Sequence, residues 1–202
     1  MEGFTLKGWG RVVAPICNSP RMSGTVIWIT GLSGAGKTTL AGLLLARMRC
    51  TSRPVLGLDG DILRTVFPIE GGYTADKRVK LAHSYARLCR EVSLQGIDVV
   101  CATISMFHAV RRWNRENIQN YVEIYLEVPL AVLRMRDAKG LYGAYARGEE
   151  SSLVGVDVEA ELPENPDFVI QNLGDTSPEK AVDLIWKRFL ADRVVSPSTA
   201  KK

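Results

Sequence analysis

The stretch "TVIWITGLSGAGKTTL", Thr25 to Leu40, decides the fold. An apolar run of strand length, Val26 to Ile29, leads without a break into G-x-x-x-x-G-K-[ST], Gly31 to Thr38, and then into a segment rich in helix formers. A phosphate-binding loop needs this strand before it and this helix after it. Gly31, Gly34 and Gly36 let the backbone pass close to phosphates, with Ser33 and Ala35 between them. The amides at the helix start and the positive end of its dipole face the negative charge. Lys37 adds a mobile cation. Thr38 offers a hydroxyl to Mg²⁺ on the terminal phosphates of a nucleotide, and Thr39 follows it into the helix. The ordinary alternative is a glycine-rich turn with no ligand, but all the motif positions and both flanks agree on the cradle.

Outward from this stretch, β-rich runs alternate with helical patterns. "PVLGLD", "IDVVCATI", "VEIYLEV" and "DFVIQN" follow the first strand, and helices are expected near Lys37 to Arg49, Ala75 to Gln95, Ala109 to Asn120, Pro129 to Ala138 and Pro178 to Ala191. That alternation predicts an α/β fold, a three-layer P-loop NTPase arrangement with a mostly parallel sheet flanked by helices. A strand buried on both faces reads as a continuous apolar run, as Val99 to Ala102 does. In the last helix Ala181, Leu184, Ile185 and Leu190 form the expected apolar face. Leu81, Leu88, Val92 and Leu94 are expected in the core.

The chain has 202 residues, 46% of them hydrophobic, enough for one buried domain. We divide it into an N-terminal extension (1–24), the P-loop domain (25–193) and a C-terminal tail (194–202). No run approaches the roughly 20 apolar residues of a membrane span, and the start lacks a signal-peptide core. A cytoplasmic protein with no membrane partner is expected. Cys17, Cys50, Cys89 and Cys101 are widely spaced, without a C-x-x-C pair, and read as reduced thiols. The net charge of +4 comes from interspersed residues, which suits nucleotides better than long nucleic acids. "RRWNREN" has a nucleic-acid look, but at helical spacing Trp113 is expected to pack while Arg111, Arg112 and Arg115 are solvated. His108 reads as a polar loop residue.

A P-loop alone leaves GTPase, ATPase and small-molecule kinase open. The second strand ends in "LGLDGDILR", which brings Asp59, Asp61 and Arg64 to the carboxyl edge of the sheet, where open α/β sheets bind ligands. The two carboxylates suit a hydrated metal and a hydroxyl that must lose a proton, and Arg64 suits an anion. They also suit a plain acidic helix start.

Taken together, "GLSGAGKTTLA", "LDGDILR", "RDAKGLY" and "ELPENPD" resemble the adenylylsulfate kinase family over roughly Thr25 to Asn172. The resemblance implies transfer of a phosphoryl group from ATP, with Mg²⁺, to the ribose 3′-hydroxyl of a 5′-substituted nucleotide, adenosine 5′-phosphosulfate in the parent family, by a homodimer. It makes Asp61 the base and Asp59 its helper through the metal shell, roles that can be exchanged, with Lys37 stabilising the transferred charge. It places Arg136 and Lys139 in a lid over the nucleotide, and Lys139, Arg64, Tyr73, Arg78, Ile104, Ser105, Leu153, Gly155 and Asp157 around the acceptor.

The chain departs from the family pattern on the acceptor side. Leu81 and Ser84 replace an asparagine and an arginine, and "SMFH" at Ser105 to His108 replaces S-P-Y-R. Leu153 stands where the family stacks an aromatic on adenine. "ISMFHAVRRWNRENIQNY" followed by "VGVD" is similar to relatives that phosphorylate cytidine diphosphoramidate. Despite its alternating valines, "SLVGVDVE" (Ser152 to Glu159) is therefore expected to be an acceptor loop. A noncatalytic nucleotide-binding module and a kinase of a sugar or other small metabolite are the rival readings.

Overall fold

The computed structural model describes residues 23–68, 74–149, 153–174 and 177–190. Tyr73, most of the N-terminal extension and the tail lie outside them. Five strands, β1 (Val26–Thr30), β2 (Val55–Asp59), β3 (Asp98–Ala102), β4 (Tyr121–Glu127) and β5 (Phe168–Gln171), form one parallel sheet in the order β2-β3-β1-β4-β5. All five coincide with the apolar runs of the sequence.

Alternation along the central strands builds the three layers. Ile27 and Ile29 of β1, Val100 and Ala102 of β3, and Val122, Ile124 and Leu126 of β4 face one way. They meet α1 (Lys37–Arg49) through Leu40, Ala41, Leu44 and Met48, and α7 (Pro178–Ile185) through Ala181, Val182 and Ile185. Val26, Trp28, Val99 and Cys101 face the other way, onto α3 (Ala75–Leu94) and α4 (His108–Asn117). Since successive strand residues point to opposite faces, apolar residues at every position are what a sheet covered on both sides requires.

The helices start where their capping residues stand. Thr74 accepts from Lys77 N–H to open α3, and Ser177, followed by Pro178 at the first helical position, accepts from Lys180 N–H to open α7. α7 runs on into a π-helical turn, Trp186–Leu190. Leu184 is 59% exposed and does not belong to the apolar face of α7, and Leu94 is exposed at the end of α3, where that helix has run past the sheet. Leu81, Leu88 and Val92 do pack on the core. Cys50, Cys89 and Cys101 are unpaired thiols, the last two buried. No helix among the described residues is long and apolar enough to cross a membrane.

The expected helices are joined by α2 (Gly60–Val66), α5 (Leu130–Arg136) and α6 (Leu141–Ala146). Of these, the sequence pattern indicates only α5. The register sets Asp59 beside Ala102, and Ala102 beside Ile29. The ends of β2, β3 and β1 therefore lie level, and the loops that follow them share one edge.

Candidate active site

The loop after β1 wraps as its glycines demand. Gly31 has φ +149°, and a Cβ there would stand 2.7 Å from the Leu126 carbonyl oxygen, so no other residue fits without moving the backbone of β4. Lys37 Nζ donates to the Leu32 carbonyl at 2.7 Å. Desolvation first, and then the neighbouring Lys139, lowers the Lys37 ammonium to about 7, with Asp59 and Asp61 pulling the other way. Asn172 Nδ2 donates to the Ala35 carbonyl at 3.0 Å, fixing the far side of the loop to the end of β5. Nothing in the sequence pattern singles out Asn172.

Asp59 and Asp61 prove to be different groups. One oxygen of Asp59 accepts from Asp61 N–H at 2.8 Å and so caps α2, and the other accepts from the Thr38 hydroxyl at 2.8 Å. The acidic helix start is thus real, and the same carboxylate also reaches the P-loop. Asp61 instead accepts from two side chains, Lys139 Nζ at 2.6 Å and Arg64 Nη2. The Lys139 hydrogen bond is the main reason its carboxyl titrates below the usual range, so Asp61 is ionised at neutral pH.

These groups surround a cleft of about 550 Å³ lined by Ser33, Gly34, Gly36, Thr38, Thr39 and Lys37 on one side and by Asp59, Asp61, Arg64, Thr103, Ile104 and Lys139 on the other. A smaller cleft of about 50 Å³ adjoins it, sharing Arg64, Thr103 and Ile104 and adding Arg78, Leu81, Tyr85, Ser105, Phe107 and Val154. Thr103, Tyr85 and Val154 belong to the site although their residue types carry no motif.

The segment between α5 and α6 is anchored by three hydrogen bonds. Asp137, at φ +32°, turns the chain out of α5, and its carboxylate accepts from Tyr142 and Gly143 N–H at 2.9 Å each, opening α6. Tyr142 Oη then donates to the Ser33 carbonyl at 3.1 Å, tying α6 to the P-loop. Lys139 is thereby held over the cleft. Arg136 ends α5 exposed and does not line it.

Residues 153–158 form a turn: Gly155 N–H donates to the Val158 carbonyl at 2.7 Å, and the Leu153 carbonyl accepts from Val156 at 3.0 Å. The Asp157 carboxylate accepts from Leu153 N–H and closes it. A single bridge, Val154 to Val158, is all the β-structure here. Leu153 packs with Leu32 and Val156 on the core, and the side chain that reaches the small cleft is Val154. Gly155, at φ +90°, rests on Leu32, whose Cδ2 would be 2.8 Å from a Cβ. Gly155→Ala is accordingly expected to lower the thermal midpoint by several degrees and to weaken acceptor use, as strain at positive φ costs about 1 kcal/mol before any clash. Melting curves and initial rates test it.

The reading of "RRWNREN" needs one correction. Trp113 packs, edge-on to His83, and Arg112 and Arg115 are exposed, but Arg111 is only 4% exposed. It is buried because Glu123 of β4 points into the same layer, Arg111 Nε standing 3.6 Å from its Oε1. His108 opens α4 rather than lying in a loop.

The family profile of adenylylsulphate kinase matches residues 23–171. The chain belongs to the adenylylsulphate kinase family. Within reach of it are the cytidine diphosphoramidate kinase of Campylobacter jejuni, 38% identical over 166 residues covering 81% of this chain and 95% of the relative, and the adenylyl-sulfate kinase of Paraburkholderia xenovorans, 40% identical over 149 residues covering 73% and 83%. The Mycobacterium tuberculosis APS kinase CysC in complex with AMPPNP and APS superposes with a TM-score of 0.75 at 26% identity, over 82% of this chain and 96% of that one. As a member of this family the chain is a P-loop kinase, a phosphotransferase with a hydroxyl acceptor. Lys37, Thr38, Asp59, Asp61 and Lys139, singled out from the sequence, are gathered by the fold around the large cleft.

Proposed function

We propose that this kinase transfers the γ-phosphoryl group of ATP to the ribose 3′-hydroxyl of a 5′-substituted nucleotide. The observation that carries the reading is the pair of adjoining clefts, which share Arg64, Thr103 and Ile104, with Asp61 in the larger one bound to the shared Arg64. The triphosphate lies along the P-loop, and the acceptor enters from the small cleft, oriented by Arg64 and Arg78.

The acceptor oxygen forms its bond to the γ-phosphorus as the bond to the bridging oxygen of ADP breaks, and the hydroxyl proton goes to Asp61. Lys37 and Lys139 face the charge that spreads over the transferred group, so catalysis is mainly positioning and electrostatics. Thr38 and Asp59, hard oxygen donors 2.8 Å apart, suit Mg²⁺ bound together with nucleotide phosphates. Among the described residues no group of three or more His, Cys, Asp or Glu could hold a metal alone, which agrees with a cation held largely by the nucleotide. Bound there, Mg²⁺ supplies charge neutralisation on the phosphates.

The acceptor that fits best is cytidine diphosphoramidate. The 153–158 turn presents aliphatic Val154 to the small cleft, and Leu153 is engaged in the core. Base-aromatic stacking is worth roughly 1 to 3 kcal/mol, and a purine gains more of it than a pyrimidine. Losing an aromatic on this turn therefore disfavours adenine most, and Tyr85 and Phe107 are left as the aromatics of the cleft. Adenosine 5′-phosphosulfate is the second reading, favoured by the family profile. Steady-state kinetics with both acceptors, and NMR of the products, decide between them. A kcat/KM at least about tenfold higher for the cytidine compound is expected, as one decade is about 1.4 kcal/mol. Preference for adenosine phosphosulfate reverses the acceptor assignment, and no transfer to any nucleotide sinks the whole reading.

A further inference from the structure

Helix α4 begins at His108 with no capping side chain from its own N-terminal flank. The cap comes from 53 residues away: the Glu161 carboxylate accepts from His108 N–H. Glu161 N–H in turn donates to the Met106 carbonyl at 3.2 Å. One turn into α4, Arg111 returns the contact. Its Nη2 donates to the Glu161 carbonyl at 2.7 Å and to the Leu162 carbonyl at 3.2 Å, and lies 3.0 Å from His108 Nδ1. Each segment thus supplies a charged side chain to the other's backbone.

The arrangement is an expensive way to hold a loop. Arg111 is almost fully buried, its nearest carboxylate contact is the 3.6 Å approach to Glu123, and its Nη1 has no hydrogen-bond partner among the described residues. A buried, incompletely satisfied guanidinium contributes little net stability compared with an apolar side chain of similar volume. What it does provide is direction, because one nitrogen of a rigid planar guanidinium that reaches two successive carbonyls fixes their position.

We propose that Arg111 and Glu161 form a reciprocal clamp that sets the width of the acceptor cleft, making Arg111 a positioning residue. The proposal rests on the reading of the small cleft as the acceptor's. One wall of that cleft, Thr103 to Phe107, runs directly into the helix that Glu161 caps. The opposite wall carries Val154, a short way before Glu161 in the chain. The 153–158 turn rests on Leu32 of the P-loop at Gly155, and just beyond the turn the clamp holds Glu161 and Leu162 to α4. The separation of the walls is fixed at these two points, and only the second belongs to the acceptor side alone.

The test uses Arg111→Met, which keeps volume and removes the fork, and Glu161→Ala, which removes the cap without touching the guanidinium. Each is expected to raise the acceptor KM by about tenfold or more, the loss of a charged buried hydrogen bond, with the ATP KM within about twofold of wild type. The double variant should be less damaged than the sum of the two singles, since the two contacts are different but tie the same pair of segments. Arg111→Lys should recover little of the loss. Amide hydrogen exchange supplies a readout independent of turnover: in both variants residues 153–162 should exchange faster, with the P-loop unchanged. An unchanged acceptor KM, or a parallel rise in both KM values, overturns the proposal. Should wild type transfer phosphate to no nucleotide, the acceptor reading has failed, and exchange then decides the clamp: faster exchange confined to 153–162 supports it, and unchanged or global exchange overturns it.

Discussion

Replacing Asp61 with asparagine is expected to lower kcat by about a thousandfold and leave ATP affinity within a few-fold of wild type. The substitution keeps shape and removes the charge that accepts the hydroxyl proton, and general-base contributions run from about 10² to 10⁴. Asp59 cannot take the role in its present arrangement, because one of its oxygens caps α2 and the other holds Thr38. The contacts of Asp61 are with the half-exposed side chains of Lys139 and Arg64. On the proposed reading each has an anion to attend once substrates bind, the triphosphate for Lys139 and the acceptor's 5′ group for Arg64, and their departure would leave Asp61 an ionised, stronger base beside the hydroxyl. Rapid-quench single turnovers with a fluorescent ATP-binding assay check this. An Asp61→Asn enzyme within tenfold of wild type would show that the base lies elsewhere. Retained cellular function in that variant would favour the noncatalytic module.

How far the sequence leads depends on what kind of regularity each part carries. The five strands are apolar runs of strand length, the long helices are extended stretches of helix formers, and the P-loop is a dense local motif, so all are legible in the sequence. Helices α2 and α6 are seven and six residues long, too short for a period to show. Their starts are set by Asp59, whose motif also suits an acidic helix start, and by Asp137, which stands in a segment read for its cations.

Arg111 failed for a different reason: its burial depends on a partner in another element. A signal was nevertheless present. In "YVEIYLE" the acidic Glu123 occupies an interior position of a strand buried on both faces, and such a group needs a cation. Burial raises the Glu123 carboxyl above its ordinary range, while Arg115 and Arg111 pull it back. The nearest arginine-rich helix was therefore unlike a free surface. Leu153 and Val154 illustrate the remaining limit, since motif spacing finds the turn but only three-dimensional packing says which of two adjacent side chains meets a ligand.

The second large effect concerns Lys37. In the free protein its ammonium is lowered from 10.5 to about 7, chiefly by desolvation and then by Lys139. A bound triphosphate places negative charge against the same nitrogen and must raise it again, so binding above pH 7 takes up a proton. The linkage sign follows. Below about pH 7 Lys37 is already charged and affinity is flat, whereas above it the dissociation constant for ATP should rise about tenfold per pH unit, reaching roughly a hundredfold by pH 9, since each unit corresponds to about 1.4 kcal/mol. The free protein should change in the opposite sense: between pH 7 and 10.5 the unfolded chain holds a proton on Lys37 that the folded one lacks, so this lysine's penalty on folding is relieved as pH rises. Calorimetric titrations at pH 8 in two buffers of different ionisation enthalpy should report close to one proton absorbed per ATP. Lys37→Arg, whose guanidinium stays protonated, should bind with little of this slope and no proton uptake. A flat affinity between pH 7 and 9 with no buffer dependence would mean that Lys37 is already charged in the free cleft, with Asp59 and Asp61 outweighing its desolvation.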